Sequence, residues 1–235
     1  MKNENINLLI KFGKKEHIEE LQNGKLYMKN LQYYINREIQ TGDNTVGDKY
    51  DGLFPVNFCD LKFHNSETKE EVFSIPKAKL VFDLGYTMCP TFCMFLLDKR
   101  NITERNEKCV RYEFTEEQQE KLKDFGTHAL IISNADAFIE RVKDAFLKNQ
   151  MSIIFDKVKY YNENDLEHKE DIEKDKKRIA FWKRDIYAYQ QEFRFLGFDC
   201  KVEEYCEIDI GSLHDISQII ETGHLLNTYA ECKLK

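Results

Sequence analysis

The sequence predicts one α+β domain with a mixed or antiparallel sheet core and peripheral helices, and three observations carry that expectation. Hydrophobic residues make up 42% and aromatics 13% of the 235 residues, enough for a packed core and too much for a globally disordered chain. Short stretches with two-residue alternation are interleaved with stretches whose apolar residues recur at helical spacing. No internal repeat or linker divides residues 1–235, so a single domain is expected.

Taken in order, Ile6 to Phe12 reads as a strand and Lys15 to Asn23 as a helix with Ile18 and Leu21 inward. Gly24 stands where a helix C-cap belongs, and Leu26 to Met28 resumes extended structure. Gly13, at the end of the first strand, allows another group to approach the backbone closely. Leu31 to Ile39 carries Tyr33, Tyr34 and Arg37, and residues 41–52 are rich in turn formers and read as a surface loop. Val72 to Ile75, Lys79 to Phe82 and Thr91 to Leu97 are strands with irregular connections.

Thr115 to Gln118 forms a capping box for a helix from Glu116 to Asp124, stopped at Gly126. Ala129 to Ser133 is a buried strand. Ser133 or Asn134 caps a second helix, Asp136 to Leu147, whose Phe138, Ile139, Val142, Ala145 and Phe146 fall on one stripe. Ile153 to Tyr161 reads as one strand. Residues 162–180 mix opposite charges with few apolar residues and are expected to form a charged helical or mobile insertion. Tyr187 to Phe198 and Glu203 to Ile210 are further strands, before a last segment through Ile219 and Ile220 to Leu226.

The net charge of −7 argues against tight, non-specific binding to a phosphate backbone. No stretch has the ~18 apolar residues that span a bilayer, and the N-terminus lacks the pattern of a signal peptide, so a cytoplasmic protein is expected. The seven cysteines are dispersed and odd in number, which suits reduced thiols. Cys89 and Cys93 have no second pair to complete a tetrahedral site, and no metal is expected.

The segment with the most chemistry is Tyr187 to Gly197. As a strand it sets Gln190, Glu192 and Arg194 on one face, opposite Tyr189, Gln191, Phe193 and Phe195. A cross-strand ion pair on a half-exposed sheet is the plain structural explanation for that face. A carboxylate between an amide and a guanidinium is also a small oriented polar site.

Gln190-Gln191-Glu192 has the form of the Q/E-x-E motif found late in many ADP-ribosyltransferases. Leu9 to Gly13, followed by a helix and Gly24-Lys25-Leu26-Tyr27, resembles their opening strand-helix-strand unit. The chain also resembles a broad bacterial and phage family with an N-terminal Gly-x-Leu-Tyr-Met segment, here Gly24 to Met28, and a late aromatic-Gln-x-Glu-aromatic-Arg segment, here Tyr189 to Arg194. The resemblance implies an ADP-ribosyltransferase-like fold and NAD as substrate. Glu192 would then stabilise the cation that develops on the ribose as nicotinamide leaves, and Gln190 would orient the acceptor. Lys11, Phe12 and Gly13 would lie beside the dinucleotide, and Tyr33 or Tyr34 would face the nicotinamide ring. Charge alone, apart from the resemblance, makes Arg37 and Lys49 candidates to contact a nucleotide phosphate. The first strand offers Lys11 where that family commonly offers Arg or His, and there is no Ser-Thr-Ser motif. The association of such proteins with phage–host conflict implies the alternative of a non-catalytic factor that holds a nucleotide-derived ligand or a protein partner.

Other groups have simpler explanations. Asp43, Asp48 and Asp51 lack the spacing of a calcium loop and suit turns. The six histidines are scattered without a metal signature. Phe181 and Trp182 are expected to anchor the core, with Lys183 and Arg184 as surface charges or neighbours of Glu192.

Overall fold

A computed structural model describes residues 8–42, 45–162 and 167–233. The chain opens with β1 (Leu8–Gly13), α1 (Lys15–Gln22), β2 (Lys25–Asn30) and α2 (Leu31–Thr41). A long hairpin follows, β3 (Leu53–His64) and β4 (Glu71–Asp83), and then β5 (Pro90–Leu97). Next come β6 (Ile102–Arg105), β7 (Cys109–Tyr112), α3 (Glu116–Leu122), β8 (His128–Ile132) and α4 (Ala135–Lys148). The last third contains β9 (Ile153–Lys157), β10 (Lys159–Tyr161), α5 (Glu167–Lys174), β11 (Trp182–Arg184) and β12 (Glu192–Gly197). It ends with β13 (Tyr205–Asp209), β14 (Ser217–Glu221), α6 (Thr222–Leu226) and β15 (Ala230–Lys233).

The fold is α+β around an eight-stranded antiparallel sheet, and β5 is the strand on which that sheet divides. One edge of β5 pairs with β12, from Glu192↔Phe95 to Leu196↔Thr91, and β12 pairs in turn with β9. The other edge is shared. β2 pairs at Pro90 and Thr91, and β1 pairs at Phe95 to Leu97. β1 then leaves β5 and continues along β8 as far as Gly13, so the sheet splits beside Phe92, Cys93 and Met94.

Alternation assigns the two faces. Leu9, Met94, Leu96, Phe193 and Phe195 pack with α1 and α4, through Ile18 and Leu21 and through Phe138, Val142 and Phe146. Ile10, Phe12, Phe95 and Leu97 pack on the other face with Phe114, Leu122, Tyr187, Tyr189, Leu225 and Leu226. The caps follow the sequence: Thr115 and Gln118 form the reciprocal capping box, the Asn134 side chain accepts from Ala137 N–H, and Asn30 accepts from Tyr33 N–H at 2.9 Å.

Several expectations are corrected. Residues 185–190 form 3₁₀ turns, Gln191 adopts the left-handed conformation (φ 39°, ψ 50°), and the strand begins only at Glu192. Gln190 therefore does not reach Glu192 by strand alternation, although Glu192 and Arg194 do share a face. The strand expected over Ile153 to Tyr161 breaks at Val158: β9 pairs with β12, whereas β10 pairs in parallel with β11. The helix expected to end at Asp124 ends at Leu122 and tightens into a 3₁₀ turn over Lys123–Phe125. The charged segment does contain a helix, α5, but it is packed on the domain and not wholly solvated: His168 and Ile172 are buried against Tyr161, Ile179 and Trp182. The two strands expected within residues 72–82 are one, β4, paired with β3; the outer part of this hairpin is exposed, while Phe54 at the base of β3 packs against the cluster around Trp182. Phe63 and Phe73 stack near the hairpin tip, with ring centroids 4.4 Å apart. Residues 6, 7 and 43 lie outside the described residues.

The close approach expected at Gly13 is made by Gly126. At φ +146°, Gly126 occupies a conformation that L side chains rarely adopt, and a Cβ there would come within 2.2 Å of the Gly13 carbonyl carbon. Gly126→Ala is expected to lose about 1–3 kcal/mol from the strained backbone alone, read as a fall in thermal midpoint. An unchanged midpoint would show that the two backbones can separate freely.

Candidate functional site

The split between β1 and β2 opens into a cavity of about 380 Å³. β1 contributes Ile10, Lys11 and Phe12, and β5 contributes Cys93, Met94 and Phe95. Gln190, Glu192 and Arg194 close another side. Tyr34 and Arg37 of α2 and Val46 and Asp51 of the following loop also line it. Of the residues anticipated from the sequence, Lys11, Phe12, Tyr34, Arg37, Gln190, Glu192 and Arg194 thus converge. Gly13 adjoins Phe12 but is not in the lining. Tyr33 is 41% exposed and touches the site only through an edge contact with Tyr34, ring centroids 5.3 Å apart.

Glu192 is the centre of a buried ion network. Its Oε1 accepts from Lys183 Nζ at 2.7 Å, and its Oε2 accepts from Arg194 Nη2 at 2.8 Å. Arg194, only 1% exposed, also donates to both oxygens of Asp51, at 2.7 and 3.0 Å, and to the Ala180 carbonyl at 2.6 Å. Burial alone would push the Glu192 carboxyl up. The Lys183 ammonium and the Arg194 guanidinium outweigh it and hold the group well below the usual glutamate range. Glu192 is therefore a fixed anion at neutral pH and a poor general base.

The 3₁₀ turns bring Gln190 to the same point from a different direction. Its Oε1 accepts from Lys183 Nζ at 2.7 Å, and its Nε2 donates to the Thr45 carbonyl at 2.7 Å and to Tyr189 Oη at 3.3 Å. The Gln190 amide thus ties the loop after α2 to Lys183. Gln191 is buried in a conformation that is uncommon for a residue with a side chain. Its carbonyl accepts from Leu96 N–H at 2.9 Å, which locks the turn to the end of β5. Backbone strain of this kind is sustained only where the surroundings over-determine it.

Lys11 enters the split. Its Nζ donates to the Cys93 carbonyl at 2.8 Å and lies 4.5 Å from the Phe92 ring centroid. Burial lowers its pKa, opposed by the nearby Cys93 and Glu192. Burial pushes the Cys93 thiol up to about 12 and raises the Tyr34 hydroxyl. Both groups are neutral walls at physiological pH. Lys11, Lys14, Arg37, Lys183 and Arg194 face Asp51, Asp124 and Glu192 around the cavity, so the lining is formally positive in a chain whose net charge is −7. That contrast favours an anionic ligand.

A second ion cluster stands behind the first. Arg184 donates to Asp48 Oδ1 at 2.9 Å, to Glu38 at 2.8 Å and to Tyr187 Oη at 3.0 Å. Burial and the Asp51 charge push Asp48 up.

Of the two alternatives that the sequence left for Lys183, a surface charge or a neighbour of Glu192, the structure shows the second, whereas Asp48 and Asp51, read as turn formers, were missed as site residues. Both aspartates are 1% exposed, and each holds an arginine more than 130 residues away. The adjacent Lys183-Arg184 pair after two aromatic residues was the available signal, since basic residues beside core anchors either extend to solvent or meet buried counter-charges. Among the described residues, no group of three or more His, Cys, Asp or Glu is placed to hold a metal ion. No helix among them is long and apolar enough to cross a membrane.

The chain matches no protein-family model, and no curated protein or solved structure is significantly similar to it.

Proposed function

We propose that the cavity is the NAD site of an ADP-ribosyltransferase-like enzyme, with Glu192 as its catalytic carboxylate and an acceptor of unspecified identity. The observation that carries this reading is the convergence of Lys11 and Phe12 with Glu192 on one cavity, although they lie at opposite ends of the sequence. Its volume falls within the ~300–1,000 Å³ usual for ligand pockets. On this reading the ligand's nicotinamide-ribose half occupies the split, with Tyr34 offering an aromatic face. Lys11, Lys14 and Arg37 meet its phosphates as cations.

The proposed chemistry needs no proton taken by Glu192. The bond from the anomeric carbon to the nicotinamide nitrogen breaks with its electron pair leaving on nitrogen. The acceptor nucleophile then bonds to that carbon and loses its proton to solvent. A fixed carboxylate beside the ribose stabilises the positive charge between those events. Each carboxylate oxygen has about two acceptor positions, so the pairs with Lys183 and Arg194 leave room for a ribose hydroxyl. Gln190, whose amide is committed to Thr45, Tyr189 and Lys183, contributes to the site by holding the loop that carries Val46 and Asp51.

The double pairing of Glu192 also favours a second reading, in which the network is structural and the cavity only holds a nucleotide-derived ligand for a protein from phage–host conflict. Incubation with adenylate-labelled NAD and cell lysate separates the two. Label transfer or nicotinamide release is expected from the native protein and not from Glu192→Ala. Transfer that survives the substitution removes Glu192 from the reaction. A native protein that binds NAD without turning it over supports the second reading.

A further inference from the structure

We propose that Lys183 is a positioning residue that orients the Glu192 carboxylate as a hydrogen-bond acceptor for a sugar hydroxyl. This deepens the reading of Glu192 given above and rests on it.

The geometry is that of a clamp with one moving part fixed from three sides. Lys183 lies on β11, immediately after the core anchors Phe181 and Trp182, and is 3% exposed. Its Nζ is 2.7 Å from both Gln190 Oε1 and Glu192 Oε1, 4.0 Å from Asp51 Oδ2, and 4.7 Å from the Tyr187 ring centroid. Gln190 cannot drift, because its amide nitrogen is tied to the Thr45 carbonyl. Glu192 cannot drift at its backbone, because its N–H donates to Tyr160 Oη at 2.9 Å and β12 is paired on both edges. The one freedom left to the carboxylate is rotation about its own side-chain bonds. Lys183 on Oε1 and Arg194 on Oε2 remove it.

The two cations have different employment. Arg194 is committed to Asp51 and the Ala180 carbonyl as well as to Glu192, so its guanidinium is a structural joint. Lys183 joins the two side chains of the Gln-x-Glu segment directly and lines the cavity beside them. An ammonium donates three hydrogens without the fixed plane of a guanidinium. Two go to Gln190 and Glu192, which sets where the carboxylate presents its remaining acceptor positions.

The surrounding groups leave the effect readable. Tyr34 of α2, Cys93 of β5, Tyr160 of β10 and Tyr189 of the 3₁₀ turns face Glu192, and burial raises every one, so none carries charge at neutral pH. The charges that act on Glu192 are Lys183 and Arg194 directly, Lys11 across the split, and Asp51 through both cations. A neutral residue at position 183 removes the largest attractive one. Glu192 is then expected to titrate higher, and any activity that needs its anion is lost at a higher pH as the solution is acidified.

The test is nicotinamide release from NAD as a function of pH by the native protein, Lys183→Met and Lys183→Arg, together with carbon NMR titration of the Glu192 carboxyl. In the native protein the carboxyl is expected to titrate below the ordinary value of ~4.3. In Lys183→Met, kcat is expected to fall more than KM rises, and the acid limb and the carboxyl titration to move up together by more than about one pH unit, a tenfold change. Lys183→Arg keeps the charge and is expected to keep the native acid limb with a reduced kcat. A Met variant with native kcat and native acid limb overturns the proposal while leaving NAD turnover standing. If the Met variant does not fold, a native Glu192 that titrates in the ordinary range, or an Arg variant whose acid limb moves like that of a neutral residue, overturns it equally. A native protein without NAD turnover defeats the underlying reading instead, and the NMR titration then still decides whether Lys183 sets the state of Glu192.

Discussion

Arg194→Met is expected to destabilise the protein by about 3–5 kcal/mol, the range for removing one partner from a buried ion pair. In a chain of this size that corresponds to a fall in thermal midpoint of roughly 6–20 °C. The substitution nearly conserves volume, so the loss comes from what Arg194 leaves behind. Asp51 loses a bidentate partner and Glu192 loses the donor on Oε2, both in surroundings with little water. The Ala180 carbonyl loses its donor as well. A comparison is built into the same molecule: Arg141 and Asp215 pair at the surface, where the Asp215 side chain is 61% exposed. Breaking that pair is expected to cost about 0–1 kcal/mol. Equal losses at the two sites would mean that burial does not set the worth of the Arg194 network. The network should also weaken in acid. The folded pKa of Glu192 is depressed, so its stabilising contribution is complete above the unfolded value of ~4.3 and is lost progressively as pH falls from there toward the depressed folded value.

Glu192→Gln is expected to reduce nicotinamide release by roughly 10²–10³, the range for removing one preorganised electrostatic contact to a transition state. The amide keeps one oxygen to accept from Lys183 or Arg194 but turns an N–H donor toward the other cation, so the two proteins are compared at equal NAD occupancy and with the variant's fold checked by its thermal midpoint. A drop in kcat with an unchanged dissociation constant places the effect on the developing ribosyl cation. A rise in the dissociation constant with kcat unaltered would assign Glu192 to ligand binding alone.

Local structure was readable wherever one short-range signal determined it. Thr115 and Gln118, and Asn134 before the apolar stripe of α4, act through neighbours three or four residues away, and the structure places them as their spacing requires. The alternation of Phe193 and Phe195 against Glu192 and Arg194 was readable for the same reason. The turn before it was not. A left-handed glutamine has no sequence signature, and Gln191 is held by Ala188, Leu96 and Asn101, not by its own preference.

The site was legible only in part, because its counter-charges are distant. Asp51 meets Arg194 across 143 residues, and an aspartate in a glycine-containing loop suits a turn equally well. Lys183 follows two aromatic residues whose burial was expected, yet nothing within its own segment says that its ammonium must be satisfied by Gln190 and Glu192. The split beside Cys93 depends on where β1 and β2 stop pairing with β5, a property of register that residues 8–30 do not encode by themselves.

The most direct test of the proposed function is the time course of free nicotinamide, measured chromatographically, when purified protein is mixed with NAD and a cell extract as the source of acceptor. The expected result is release by the native protein and a rate at least about a hundredfold lower for Glu192→Gln at equal NAD occupancy. Equal rates for the two proteins, or no detectable binding of NAD by the native protein, would contradict it.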